Sequence, residues 1–321
     1  MITSLLWITF AMVAADESDR PCLILITGAS GTEEYSEQFQ QWATRWEGAA
    51  KQAGLAIKRI GANNKATDDR RQLEAYLKQV SVKTTAPLWV VLIGHGTYAK
   101  KQAKFNLHGP DITATELNEW LTPLQRPIAI VNCASSSGPF INGLSQPNRV
   151  IVTATKSGFE SNYARLGQYL SETISDPSAD LDKDGQVSLL EAFILASARV
   201  EEFYRQNGRL ATEHALLDDN GDSLGTPADW FRGVIGQKKA RGAKQLDGLR
   251  ANQFHIIVSA EEKRLSPAMR QRRNKLEQQL TELREQKNQL PEQEYYQSLE
   301  AICLELARLY QQTEPGPKSG S

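Results

Sequence analysis

Short apolar runs alternate with segments of helical periodicity over the first half of the chain. Five runs rich in leucine or β-branched residues have the length and composition of buried strands: Cys22–Thr27, Ala56–Ile60, Leu88–Ile93, Ile128–Asn132 and residues 150–153. Between them, residues 36–53 and 68–80 repeat apolar positions at helical spacing. This alternation predicts an α/β fold with a mostly parallel sheet and helices on both faces.

The composition changes near residue 266, which separates a second unit from the α/β domain predicted over 21–236. Ser266 and Pro267 form a helix start, and apolar residues at helical spacing follow in two stretches. We expect an antiparallel helical hairpin over 266–312, serving either as a packing appendage or as a surface for a protein partner. A connector over 237–265 carries a possible edge strand at 254–258, and 313–321 is expected to be a disordered tail.

The N-terminal residues have the pattern of an export signal. An apolar stretch over 2–13 is too short to cross a bilayer and leads through Ala14 and Ala15 into charged residues, which predicts a signal peptide over 1–15. We therefore expect a periplasmic or secreted protein with no stable membrane span after cleavage.

Three cysteines leave at least one thiol free; Cys22 and Cys303 either pair or, as we favour, stay unpaired and buried.

The overall composition is that of an ordinary soluble protein. Hydrophobic residues make up 40% and charged residues 23% of the 321 positions, and the net charge is -1. A chain with so small a net charge has no overall positive electrostatic potential to attract nucleic acid, so no nucleic-acid partner is expected.

Two of the predicted strands end at side chains capable of covalent catalysis. Leu88–Ile93 leads into Gly94, His95 and Gly96, and Ile128–Asn132 leads directly into Cys133. The carboxyl ends of parallel strands meet at one edge of a sheet, where open α/β folds build their sites. With only four histidines in the chain, this placement favours His95 as general base and Cys133 as nucleophile over ordinary structural roles.

The chemistry of thiol attack assigns further roles near this pair. A cysteine attacks a carbonyl as the thiolate, so it needs an imidazole to take its proton and later to protonate the leaving amine. The backbone N–H groups of Gly96 and Cys133 are the expected oxyanion-hole donors. His108, His214 and His255 lack this setting and are expected to be structural or solvated.

The His-Gly and Cys motifs, 38 positions apart, resemble those of the caspase/legumain superfamily of cysteine peptidases. Residues 153–155, 160–163 and 166–167 extend the similarity to the legumain branch. The resemblance implies an endopeptidase with a thioester acyl-enzyme, acting on a peptide or protein substrate, and makes Glu160 and Ser161 candidate pocket residues. Legumain-like enzymes carry an Asn that orients the histidine, whereas this chain has Ser30, a third candidate position.

A loop over 180–191 has the ligand spacing of an EF-hand calcium site. Hard oxygen donors stand at alternating positions, a glycine occupies position six and a glutamate position twelve, and these supply the ligands Asp180, Asp182, Asp184, Gln186 and Glu191. The sequence therefore predicts a Ca²⁺ cofactor; the other interpretation is an acidic N-cap of the following helix.

A second acidic loop repeats part of this spacing over 218–229. Its possible ligands are Asp218, Asn220, Asp222 and Asp229, but Ser223 stands where the glycine is expected. A second calcium site and a turn with Asx capping remain open here.

Two other functions compete with the peptidase. The run Thr27–Thr32 invites a dinucleotide-binding interpretation, but it lacks a properly spaced third glycine. The stronger alternative is a catalytically idle, calcium-stabilised scaffold that binds another protein. The intact His95 and Cys133 favour the enzyme.

Overall fold

The computed structural model describes residues 20–62, 68–80, 82–243 and 245–312. The predicted signal peptide over 1–15 and the predicted tail over 313–321 lie outside the described residues. In chain order the strands are β1 Cys22–Thr27, β2 Ala56–Ile60, β3 Leu88–Ile93, β4 Gly96–Ala99, β5 Gln102–Phe105, β6 Ile112–Thr113, β7 Ile128–Asn132, β8 Arg149–Thr153, β9 Leu216–Asp218, β10 Phe231–Arg232 and β11 Ile235–Gly236.

Ten α-helices accompany these strands in the described part of the chain. They are α1 Glu33–Gln52, α2 Asp69–Leu77, α3 Ala114–Leu121, α4 Pro139–Leu144, α5 Leu166–Thr173, α6 Leu189–Gln206, α7 Leu249–Asn252, α8 Ala260–Arg264, α9 Pro267–Glu285 and α10 Glu292–Gln311.

The main sheet has six strands in the order β2-β1-β3-β7-β8-β9. The first five are parallel and β9 runs antiparallel to β8. The predicted mostly parallel sheet is therefore confirmed. Four predicted strands have the observed bounds, and the fifth begins one residue early, at Arg149.

Helices cover both faces of this sheet, as predicted. Alternate residues of each strand point to opposite faces, so Trp89, Val91 and Ile93 of β3 join the core beneath α1, α5 and α6, whereas Val90 and Leu92 join the core beneath α2, α3 and α4. The strands are buried on both faces, which explains why they appear as continuous apolar runs.

The edge strand predicted at 254–258 is wrong. This segment forms only an isolated bridge between Ser188 and His255, and the Leu189 N–H donates to the Phe254 carbonyl. These bonds hold the segment against the start of α6, so the main sheet ends at β9 instead.

The predicted C-terminal helical hairpin is present. Leu276 and Leu283 of α9 and Tyr295 and Leu309 of α10 are buried. A salt bridge of 2.9 Å between Arg272 and Glu305 joins positions equally far from the connecting turn, so the two helices are antiparallel. None of the helices in the described ranges is long and apolar enough to span a membrane.

Candidate active site

His95 and Cys133 follow the ends of two neighbouring strands. Leu92 of β3 pairs with Asn132 of β7, and the ladder continues for one bond, from the Cys133 N–H to the Leu92 carbonyl at 2.9 Å. Cys133 belongs to the core beneath α1 and α5. The His95 ring lies on the same face of the sheet, because it packs against aromatic side chains of that core.

Aromatic contacts and one hydrogen bond fix the His95 ring. Its centroid lies 4.8 Å from that of Tyr35, 5.2 Å from that of Phe39 and 6.3 Å from that of Tyr163. Nε2 lies 3.1 Å from the main-chain oxygen of Ser30. A carbonyl oxygen only accepts, so Nε2 carries the proton and Nδ1 is left as the basic nitrogen.

The environment of His95 favours the neutral ring. Burial lowers the pKa of His95, and the hydrogen bond to Ser30 opposes that effect in part. A neutral imidazole with one basic nitrogen is the form that can accept a proton from a thiol. Ser30 therefore does orient the histidine, but through its backbone oxygen, which any residue type would supply.

The Cys133 thiol is buried in this conformation. The residue is 1% exposed, and burial, followed by the nearby Glu213 carboxylate, raises the pKa of Cys133 to about 12. The described residues contain no hydrogen bond between His95 and Cys133. The structure thus brings the two residues to adjoining positions on one face, with the thiol protonated and shielded from solvent.

The start of α5 covers the thiol. A Cβ added at Gly167 would lie 2.8 Å from Cβ of Cys133 and 2.6 Å from the Trp42 ring. Glu213, which is 3% exposed, accepts hydrogen bonds from the N–H groups of Arg165 and Leu166 and holds this helix end in place. Glu213 was not predicted from the sequence, because its main partners are backbone groups almost 50 residues away.

The predicted oxyanion hole is not open in this conformation. The Cys133 N–H is occupied by the β-ladder, and the Gly96 N–H donates to Oγ of Ser135 at 3.3 Å. Gly96 has to be glycine, because a Cβ there would lie 2.2 Å from the Ser135 carbonyl oxygen. Both expected donors therefore need a local rearrangement before they can bind an oxyanion.

Glu160 is engaged in structural contacts. Its carboxylate accepts the N–H groups of Lys156 at 2.9 Å and His214 at 3.1 Å, and its main-chain oxygen accepts the Ser136 N–H at 2.8 Å. These bonds tie the loop over 156–163 to the loop that follows Cys133. Ser161, the other pocket residue implied by the resemblance, is exposed beside it.

The other histidines have partners that fit structural roles. Nδ1 of His108 lies 2.9 Å from the fully buried carboxylate of Asp69, and Nδ1 of His214 lies 2.5 Å from Glu160.

All three cysteines are free: Cys22 and Cys133 are buried, and Cys303 is exposed on α10. The expectation of a buried Cys303 is wrong, because only one face of α10 packs against α9.

The first acidic loop folds around its carboxylates. Potential ligand atoms of Asp180, Asp182 and Asp184 lie within 4.8 Å of one another, although two of these side chains are exposed. Oδ1 of Asp180 is buried and has no hydrogen-bond partner in the described residues. Glu191 caps α6 and also accepts the N–H groups of Leu181 at 2.7 Å and Asp182 at 3.2 Å.

The second acidic loop repeats the hydrogen bonds of the first. Three bonds from backbone N–H groups to side-chain oxygens recur in both loops. The side chain at position one accepts the N–H of position six, the side chain at position three accepts the N–H of position five, and the side chain at position five accepts the N–H of position seven. Positions four and six have positive φ in both loops: Lys183 and Gly185 in one, Gly221 and Ser223 in the other. Ser223 thus takes the conformation expected of glycine, with φ of 67°.

Asp247 takes the place that the sequence assigned to Asp229. Oδ1 of Asp247 accepts the N–H groups of Asp219 at 3.0 Å and Asn220 at 3.2 Å, the two loop positions that Glu191 holds in the first loop. Asp229 is exposed on a 3₁₀ turn over Ala228–Trp230 and makes no hydrogen bond to the loop in the described residues. Spacing along the chain cannot reveal a partner 29 residues from the start of its loop.

The sequence matches no known family model and no curated protein. Among solved structures, the chain is similar to the Drosophila initiator caspase Dronc, with 13% identity and a TM-score of 0.45 over 64% of this chain and 82% of that one. It is similar to caspase-1 from Spodoptera frugiperda, with 10% identity and a TM-score of 0.41 over 63% and 87%. Chaetomium thermophilum Raptor gives 10% identity and a TM-score of 0.34 over 48% and 18%.

Close packing at Gly167 gives a stability prediction. We expect Gly167→Ala to destabilise the fold by about 1–3 kcal/mol, since the new methyl group would overlap Trp42 and Cys133. Gly48→Ala is the matched control, because it lies in α1 with no atom within 4 Å, and we expect it to stabilise by roughly 0.5–1 kcal/mol. Urea unfolding measures both, and equal effects would contradict the packing described here.

Proposed function

We propose that the protein is an exported, calcium-binding cysteine endopeptidase of the legumain-like type. The observation that carries the proposal is the setting of His95: its ring is held by the Ser30 carbonyl on the face of the sheet where Cys133 ends the neighbouring strand. Such an arrangement leaves Nδ1 basic and directs it away from the Ser30 contact. The proposal of export rests on the sequence of residues 1–15.

The proposed reaction uses the two side chains in sequence. Nδ1 of His95 takes the Cys133 proton, and the thiolate attacks the peptide carbonyl carbon. When the C–N bond breaks, the imidazolium gives its proton to the leaving amine, which leaves a thioester on Cys133. A water molecule, deprotonated by His95, then hydrolyses the thioester and releases the new carboxyl terminus.

This reaction requires a conformation in which the thiol is uncovered. The first turn of α5 has to move away from Cys133, and the Cys133 N–H has to leave the Leu92 carbonyl to serve as an oxyanion donor. We propose that the described conformation is a resting state, in which the Glu213 contacts to Arg165 and Leu166 hold the cover closed.

The burial of Cys133 also favours the second candidate function. A scaffold with an idle cysteine would keep the thiol protonated and covered, and the hairpin of α9 and α10 would be its surface for a protein partner. The position of the oriented His95 ring favours the enzyme, because the ring is held beside the end of the strand that leads into Cys133.

We further propose that both acidic loops bind Ca²⁺. Calcium prefers six to eight hard oxygen ligands, which carboxylates and the Gln186 carbonyl would supply in the first loop. Oδ1 of Asp180 and Oδ2 of Asp222 are buried and have no hydrogen-bond partner among the described residues, which supports a cation in each loop, since a buried charge needs a partner. Glu191 and Asp247 would close the two ligand sets, and the ion would stabilise the fold around the site.

Digestion of a peptide library by the calcium-loaded full chain tests the proposed activity. Mass spectrometry of the products reads the residues on each side of every cut. The peptidase proposal expects cleavage at a restricted set of sites, whereas the scaffold alternative expects an undigested library under the same conditions.

A further inference from the structure

Two lysines occupy the tip of the hairpin that begins next to His95. Strands β4 and β5 pair antiparallel, and Lys100 and Lys101 form the turn between them with φ of 51° and 63°. Both side chains are exposed, and neither forms a salt bridge within the described residues. Asparagine and glycine suit such a turn better, so this hairpin places two positive charges where the backbone does not favour lysine.

An exposed aromatic side chain lies beside this hairpin. Phe159 is 84% exposed, and its ring centroid lies 5.2 Å from that of Tyr98 on β4. The backbone at Gly158 packs directly on the Tyr98 ring. Lys156 is half exposed on the same loop, so Tyr98, Lys100, Lys101, Lys156 and Phe159 form a surface that we term the basic–aromatic patch.

The charge of this patch is largely uncompensated. Residues 94–110, which include the whole β4–β5 hairpin, contain no aspartate or glutamate. Glu160 neutralises Lys156 in part, at 3.6 Å, but Lys100 and Lys101 have no acidic partner in the part of the chain that the structure describes. The patch is therefore locally positive on a chain whose net charge is -1.

The basic–aromatic patch is continuous with the candidate active site. Gly96, at the start of β4, exchanges hydrogen bonds with Ser135, two residues after Cys133. Lys100 and Lys101 at the hairpin tip lie five and six residues beyond His95, or roughly 16–20 Å along an extended strand. On its other side, the loop that carries Phe159 is tied to Ser136 through the Glu160 carbonyl.

We propose that the basic–aromatic patch binds an acidic peptide segment, in which carboxylates pair with Lys100 and Lys101 and an apolar side chain packs on Phe159. The proposal deepens the proposed function and rests on it for one point: the acidic residues of the peptide lie about five to six residues from the cut bond, since an extended peptide spans the same distance per residue as the strand. An anionic membrane surface would also attract lysines and an aromatic residue. The peptide is favoured because both segments of the patch are joined to the loop of Cys133.

Direct binding tests the patch without catalysis. The full-length Cys133→Ala chain is titrated with a fluorescein-labelled peptide that carries aspartates and one phenylalanine, and with the same peptide in which asparagine replaces aspartate. We expect at least tenfold tighter binding of the acidic peptide at low salt, with a difference that shrinks as salt rises.

Paired variants locate the binding surface. Lys100→Asn combined with Lys101→Gly removes both charges and suits the turn better, so the variant is expected to stay folded. Its affinity is expected to fall tenfold or more, at a Tm no lower than that of the parent. Lys51→Asn combined with Lys78→Asn is the control, because it removes two exposed lysines, one from α1 and one from the residue after α2. This control is expected to bind as the parent does.

Each other outcome has one meaning. Equal affinity for both peptides, or equal loss in the hairpin and control variants, overturns the patch proposal. Binding to phosphatidylserine vesicles through Lys100 and Lys101 without binding of the acidic peptide overturns it in favour of a membrane. Tight acidic-peptide binding by a chain whose parent digests no library member supports the patch and rejects the peptidase.

Discussion

Cys133→Ala is expected to abolish peptide cleavage, and His95→Ala is expected to lower kcat/KM by about 10³-fold, within the range that general acid–base groups contribute. The alanine at position 133 removes the only atom that forms the acyl-enzyme. The alanine at position 95 leaves the thiol with no base to take its proton, and burial already raises the pKa of Cys133. Initial rates on the best library peptide measure both effects.

Cys303→Ala is the matched control for the nucleophile. It removes an exposed thiol on α10, far along the chain from the sheet, and is expected to leave kcat/KM unchanged. Full activity of Cys133→Ala would contradict the assignment of the nucleophile, and full activity of His95→Ala would contradict the assignment of the base.

Removal of calcium is expected to produce the second large effect. An ion that binds only the native state stabilises it by about 2.7 kcal/mol when its free concentration is 100 times Kd. For a domain of this size that corresponds to a rise in Tm of roughly 5–10 °C. Chelation should therefore lower Tm, and differential scanning calorimetry with and without calcium measures the change.

Two substitutions separate the calcium ligands from surface acids. Asp180→Asn weakens the first site and should reduce the calcium-dependent rise in Tm, whereas Asp229→Asn should leave it unchanged, because Asp229 is exposed outside the second loop. Identical melting of the parent chain with calcium and with chelator would contradict both sites.

The sheet could be predicted from the sequence because its strands are buried on both faces. Such strands are continuous apolar runs, and their ends therefore placed His95 and Cys133 correctly at one edge. The predicted strand at 254–258 failed because a short apolar run does not show whether it will find a strand to pair with. His255 makes a single bridge to Ser188 instead.

The parts of the site that escaped prediction all involve backbone partners. Ser30 was a candidate residue, but it holds His95 through its carbonyl oxygen and not through its side chain. Glu213, which accepts the N–H groups that begin α5, and Asp247, which accepts two N–H groups of the second acidic loop, were not predicted. Backbone groups are present at every residue, so no residue type marks such contacts. The spacing along the sequence indicated Asp229 as the last ligand of the second loop, whereas the fold brings Asp247 to the place that Glu191 has in the first loop.

Because its thiol is covered, Cys133 is expected to react differently in the resting chain and in a chain with a bound peptide. Burial raises the pKa of Cys133 to about 12, so the thiol is protonated near neutral pH, and the side chain is inaccessible to solvent. We therefore expect iodoacetamide to alkylate the exposed Cys303 long before Cys133. A peptide that occupies the site and displaces the start of α5 should reverse this order.

Labelling with a peptide chloromethyl ketone, built on the best library sequence, tests the pairing of His95 with Cys133 most directly. Peptide mapping of the calcium-loaded chain is predicted to find the inhibitor on Cys133 in the parent, and on neither Cys133 nor Cys303 in His95→Ala. Modification of Cys303 alone, or equal modification of Cys133 with and without His95, would contradict the account.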